Sequence, residues 1–219
     1  MITLYGVARS RAMRPLWILA ETDLPFTLVP VLQAYRQTGA NAGWTGLTTA
    51  SPEFLAVNPQ GQIPALHDDG TVLTESLAIT LYLARKSGTN LGPQSDLETA
   101  QMEQWALFAA TSVETPALEI YFTIAEGRET TPEGQALMAV AWEKLRRPLT
   151  RLQGHLAGQD YLVDDRFTAA DINTAECVRY AQGHPGLPAE FPAVAAWLTR
   201  CQSRPAFARI WATRLAETA

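Results

Sequence analysis

Near the start of the chain the apolar positions follow a helical period. Met13, Leu16, Trp17 and Ala20 fall at i, i+3, i+4 and i+7, one face of an amphipathic helix. Apolar runs of strand length, residues 2–5 and 26–31, lie on either side of it. A strand, a helix and a strand in so short a span predict a compact crossover with the two strands parallel. Ser51-Pro52 then predicts a helix start, with serine as N-cap and proline at the first helical position. Residues 63–67 and 71–74 read as strands around Asp68-Asp69-Gly70, and Asp-Gly is a strong signal for a tight hairpin. From Ser76 the set Leu77, Ile79, Leu81, Tyr82 and Leu83 predicts a further helix. The predicted order is βαβ, then α, then ββα.

One stretch conflicts with its own strand. In NPQGQIPAL, residues 58–66, Pro64 interrupts Ile63, Ala65 and Leu66, although proline supplies no ladder N–H and is confined to edges, first positions and bulges.

The pattern changes after residue 86. SGTNLGPQSD, residues 87–96, has the composition of a linker, and beyond it the strand signals nearly vanish. Met102, Trp105, Ala109 and Val113 mark one long helix, with Thr115-Pro116 expected to bend or end it. Thr131-Pro132-Glu133 begins another, which Arg147-Pro148 is expected to kink or break. Thr168 and Asp171 have capping-box spacing ahead of Ile172, Ala175 and Val178, and Phe191-Pro192 and Arg204-Pro205 open two more helices. The fold class is therefore a small α/β domain over 1–86, a linker over 87–96 and an all-helical domain over 97–219.

Composition narrows the function. With 47% hydrophobic and 18% charged residues over 219 positions, the chain can bury a core. A net charge of −5 with scattered arginines, only Arg146-Arg147 being adjacent, leaves no basic stripe for nucleic acid. No apolar run reaches the ~18 residues of a membrane helix, and MITLYGVARS lacks the architecture of a signal peptide, so a cytoplasmic protein is expected. Cys177 and Cys201 make neither a disulfide framework nor a metal site, and no spacing joins His67, His155 and His184 as ligands or as a relay.

Three stretches, YGVARSRAMRPLWILAE, NPQGQIPALHDDGTVLTESLAITLYLA and DYLVDDRFTAADI, resemble the cytosolic glutathione transferase family, and the likeness covers nearly the whole chain. The resemblance implies a thioredoxin-like domain followed by a helical one, a homodimer, and glutathione as co-substrate with no metal. It also implies a cis bond before Pro64, turning the Ile63 backbone toward the cysteinyl backbone of glutathione. An ordinary edge-strand proline is the competing explanation. Ser76 at a helix N-terminus would hold the γ-glutamyl carboxylate and Glu75 its ammonium, whereas by themselves they read as a cap and a first-turn acid. Gln62 adds a side chain beside them. The loop over 33–49 departs from the family by its length.

The nucleophile of such chemistry is glutathione's thiol, which at a pKa near 8.5 is only about 3% ionised at pH 7. A hydrogen bond to charged sulfur is worth about 1.5–3 kcal/mol, enough to lower that pKa by about one to two. Ser10 and Tyr5 both offer a hydroxyl. The first loop resembles theta- and beta-class members, in which the active residue stands five after the tyrosine and a helix with an arginine follows; this favours Ser10, with Arg14 four residues on, over Tyr5. Ser10 as a helix N-cap and Tyr5 as a packed strand aromatic are the structural alternatives. Neither cysteine lies in the first domain, which disfavours classes that form a mixed disulfide with an active-site cysteine.

By position, Val7, Ala8, Phe108, Thr111, Ser112, Thr115 and Trp211 are assigned to the pocket of a small hydrophobic electrophile, though each also suits a core. The expected function is conjugation of glutathione to small apolar electrophiles. A glutathione-dependent isomerase, lyase or dehalogenase and a non-catalytic glutathione-binding protein are the alternatives.

Overall fold

The computed structural model describes residues 1–217. By packing, the chain divides into two compact units, one comprising Met1–Thr89 with the chain from Arg204 onward, the other Asn90–Ser203.

The first unit is built on a four-stranded sheet in the order β2-β1-β5-β6, formed by β1 (Ile2–Tyr5), β2 (Phe26–Val29), β5 (Ala65–Asp68) and β6 (Thr71–Leu73). β1 and β2 are parallel, as the crossover through α1 (Met13–Thr22) requires. β5 runs antiparallel to both β1 and β6. The β5–β6 hairpin turns through Asp69 (φ 52°) and Gly70 (φ 83°), the paired positive φ that an Asp-Gly turn supplies. On one face Tyr5 and Ala65 pack with Val31 and Phe54, the latter carried by α2 (Pro52–Leu55). The alternate residues Ile2, Leu4 and Leu66 are buried on the opposite face. α1 packs against α3 (Ser76–Ser87). This is the thioredoxin-like arrangement that the resemblance implies.

Three local details differ from expectation. The second strand stops at Val29; after Pro30, Val31 and Leu32 form β3 (Val31–Leu32), parallel to β4 (Leu47–Thr48). The long loop thus makes its own small sheet around turns at 34–36 and 39–41. Ser51 precedes α2 but does not cap it, because its hydroxyl accepts the Thr48 N–H instead. Pro64 lies one residue before β5, so no ladder bond is lost to it; the Ile63–Pro64 bond itself is cis, as the resemblance implies.

The last helix, α10 (Pro205–Ala216), belongs with the first unit although the sequence groups it with the helical half. Phe207 meets Trp17 edge-on at 4.7 Å, and Arg204 holds the Glu21 carboxylate through two bonds of 2.7 and 2.8 Å. α1 therefore sheds water on this side through α10.

The second unit is helical: α4 (Asp96–Phe108), α5 (Glu114–Ala125), α6 (Pro132–Leu156), α7 (Ala169–Val178), α8 (Gly186–Glu190) and α9 (Pro192–Gln202). Every residue of α7 is buried. Its capping box forms as the spacing predicts, and Asp171 also accepts from Leu162 N–H (3.1 Å) and Trp197 Nε1 (2.9 Å). Neither internal proline ends its helix. A π-helical turn over Ala109–Val113 joins α4 to α5 just ahead of Pro116, and such a turn accommodates a residue that cannot donate to the previous turn. α6 continues through Pro148, which is buried and forgoes one backbone bond rather than breaking the run.

Candidate functional site

The strand register collects the candidate residues of the first unit. Tyr5 ends β1 opposite Ala65, the first residue of β5, and Leu73 ends β6 opposite Leu66. The loop after Tyr5, the segment before Ala65 and the start of α3 therefore emerge at one end of the sheet. Gly6 permits this closeness: its φ is 152°, and a Cβ there would lie 2.8 Å from Ala12 Cβ and 3.8 Å from Ile63 Cβ.

Ser10 sits on that loop, half-buried. Its hydroxyl donates to Val7 O (2.7 Å) and accepts the Ala12 N–H (3.0 Å), so the side chain makes a local turn ahead of α1. A rotation about its Cα–Cβ bond would exchange the Val7 carbonyl for another acceptor. Tyr5 is committed differently: its ring lies 6.1 Å from that of Phe54, within the apolar cluster on the sheet.

Before Ala65, Asn58 is buried and fixes the approach to the site, donating from Nδ2 to Gln62 O (2.8 Å) and accepting the Gln60 N–H (3.2 Å). Gln62 exposes its side chain, and Ile63 lies outside the ladder, half-buried. Across from them Ser76 is the first residue of the twelve-residue α3, at the positive end of its dipole. Its hydroxyl is buried and accepts a 2.8 Å bond from Arg14 Nη1, a guanidinium with no solvent exposure. Glu75, the residue before it, is exposed with a φ of 65°, an uncommon conformation for a residue with a side chain and one that gathers at ligand sites. An arginine following the serine is in the sequence pattern; its bond to Ser76 is not.

The residues assigned to the electrophile fall in both units. In the first, Ala8 is fully buried, Val7 lines a cavity of about 80 Å³ with Arg9, Arg36, Trp44 and Glu217, and Trp211 stacks on Phe207 at 5.5 Å. In the second, Phe108 is buried against Trp105, Thr111 is exposed and bonds back to Leu107 O, Ser112 lies in the π-helical turn, and Thr115 lines a groove between α5 and α6.

Other polar groups have structural partners. Asp68, held below the usual carboxylate range by Lys86 and then Tyr82, anchors both side chains beside the hairpin. Cys177 and Cys201 are buried, and among the described residues no cluster of His, Cys, Asp or Glu has the arrangement of a metal site. No helix among them is long and apolar enough to cross a membrane.

Comparison with known proteins agrees with this fold. The family model for the glutathione S-transferase N-terminal domain matches residues 9–86, and that for the C-terminal domain matches 111–205. Glutathione S-transferase 3 of Zea mays is 34% identical over 94% of this chain and 91% of its own. Among solved structures, glutathione transferase F7 from Populus trichocarpa superposes with a TM-score of 0.77 at 31% identity, over 98% of this chain and 99% of its own. The theta class glutathione S-transferase of Xanthomonas axonopodis pv. citri, solved with glutathione bound, gives 0.76 at 30% identity over 95% of each chain.

Proposed function

Because the chain belongs to the glutathione transferase family and is a glutathione transferase using glutathione as co-substrate, we propose that Ser10 is the hydroxyl that stabilises the glutathione thiolate for attack on small apolar electrophiles. The observation that carries this is that the Ser10 loop emerges at the same end of the sheet as Ile63 and Ser76, with a hydroxyl that bonds locally to the Val7 carbonyl and the Ala12 N–H. Tyr5 has its ring in the sheet cluster instead.

In this reading the Ile63 backbone pairs with the cysteinyl backbone of glutathione and Gln62 lies alongside. Ser76 at the α3 N-terminus takes the γ-glutamyl carboxylate, and Glu75 takes the adjacent ammonium. Held there, the sulfur lies within reach of Ser10, and fixed proximity supplies much of the acceleration. In this reading the first loop is theta- or beta-like, while the similar solved structures include a plant F transferase beside a bacterial theta class enzyme. The working form is a cytoplasmic homodimer, for which light scattering is expected to give twice 24.0 kDa.

Titrating the ultraviolet absorbance of the bound thiolate tests the assignment. Ser10→Ala is expected to retain glutathione and raise the thiol pKa by about one to two. A Tyr5→Phe variant that raises it while Ser10→Ala does not would transfer the role to Tyr5.

A further inference from the structure

Three successive peptide groups of the Ser10 loop are held by side chains from elsewhere in the first unit. The Ala8 and Arg9 N–H groups donate to the two carboxylate oxygens of Glu217, at 2.8 and 2.7 Å. The Ala8 carbonyl accepts from Arg214 Nη1 and the Arg9 carbonyl from Arg36 Nη1, both at 2.8 Å. Arg9 Nε returns a 2.9 Å bond to Arg214 O at the end of α10. The Ala8 N–H belongs to the same peptide group as the Val7 carbonyl, which accepts the Ser10 hydroxyl at 2.7 Å. A continuous path therefore runs from the Glu217 carboxylate through one peptide group to Ser10 Oγ.

We propose that Glu217, beyond the last helix, is a positioning residue for the thiol-activating loop: its carboxylate clamps the Val7–Ala8 and Ala8–Arg9 peptide groups and so fixes where Ser10 presents its hydroxyl. This rests on the assignment of Ser10 to the thiolate. Two opposed effects follow from the contact, and their sizes decide between them. By polarising its peptide group, Glu217 makes the Val7 carbonyl a better acceptor and competes with sulfur for the Ser10 proton. That strengthening is about 10–30% of a single bond. Losing the carboxylate removes two charge-assisted bonds outright and releases the loop, and small displacements of a reacting group cost far more. Clamping dominates.

The contact also explains why α10 closes on the first unit. The Trp17–Phe207 and Glu21–Arg204 contacts bring the helix alongside α1, and its far end delivers Arg214 and Glu217 to the loop immediately before α1. Nothing in the first loop's own sequence encodes this support.

The test is the bound-thiolate titration on the full-length protein as wild type, Glu217→Ala, Glu217→Gln and Ser10→Ala, with the glutathione Kd and thermal midpoint measured on each. In Glu217→Ala the thiol pKa is expected to rise by about one, with kcat/KM at neutral pH falling about tenfold and Kd staying within about twofold. Glu217→Gln keeps one amide oxygen to accept an N–H and is expected to fall between; it carries the test should the alanine variant fail to fold. A wild-type thiol pKa in the Glu217 variants, with the pKa raised in Ser10→Ala, overturns the role of Glu217 alone. A wild-type pKa in Ser10→Ala overturns the Ser10 assignment and this inference with it.

Discussion

Arg14 donates from Nη1 to the hydroxyl of Ser76 at 2.8 Å, from a side chain with no exposure to solvent. A guanidinium is buried only where its bonds and neighbouring charge offset lost hydration. Here it places positive charge behind the residue proposed to hold a carboxylate, adding to the dipole of α3. Arg14→Met preserves much of the volume and removes both the donor and the charge. It is expected to weaken glutathione binding by about 1.5–3 kcal/mol, the worth of a hydrogen bond to a charged group. Calorimetric titration checks this, and an unchanged Kd would show that Ser76 needs no support from Arg14.

Glu75 and Ser76 are expected to act as one binding unit. Replacing both by alanine removes the partners of the γ-glutamyl ammonium and carboxylate while leaving α3 with no lost side-chain cap, since neither residue caps it. Glutathione affinity is expected to fall at least about 100-fold, two charge-assisted bonds at about 1.5 kcal/mol each. Retained affinity in the double variant, with an intact thermal midpoint, would place the tripeptide elsewhere.

Much of this was legible in the sequence because it is local. The 3.6-residue spacing of Met13, Leu16 and Trp17, the Asp-Gly turn and the Thr168–Asp171 box each specify structure through neighbours a few residues away. The stretches around Ile63-Pro64 and Glu75-Ser76 were legible for the same reason, since the hairpin between them sets their separation. Tertiary support was not legible. Glu217 acts 209 residues from Ala8, and α10 looks in sequence like any other amphipathic helix. Pro148 marks a different limit: its local rule allows a kink or a break, and the buried stripe of Leu145, Leu149 and Leu152 on a helix of 25 residues carries the run through it unbroken.

Inside the second unit Glu176 and Arg179 form a two-pronged pair at 2.7 and 2.9 Å, with both residues almost wholly buried. Glu176 holds the Arg179 proton tightly, against the burial that opposes its charge. Glu176→Ala removes the carboxylate that offsets a buried cation and is expected to cost about 3–5 kcal/mol in urea unfolding. Replacing both residues by leucine or methionine removes the buried charge as well and is expected to recover most of that loss. A double variant as unstable as the single one would show that the pair serves a larger polar network rather than itself.

His184 gives the helical unit a pH dependence with a definite sign. Its ring stacks on Trp142 at 4.0 Å, and its Nδ1 accepts the Gly186 N–H at 3.1 Å, an acceptor role open only to a ring nitrogen without a proton. Burial lowers its pKa from the ordinary 6.5; Glu190 pulls it back up and Arg146 pushes it further down. Below pH 6.5 the unfolded chain therefore takes up a proton that the folded chain resists, so the contribution is complete above 6.5 and is lost as pH falls toward the lowered value. Urea midpoints of wild type and His184→Gln at pH 7.5 and pH 5 isolate this residue, because every other group is common to the two proteins. Glutamine loses the stack and lowers both midpoints, but the drop between the two pH values is expected to be smaller in the variant. An equal drop would assign the acid sensitivity to other groups.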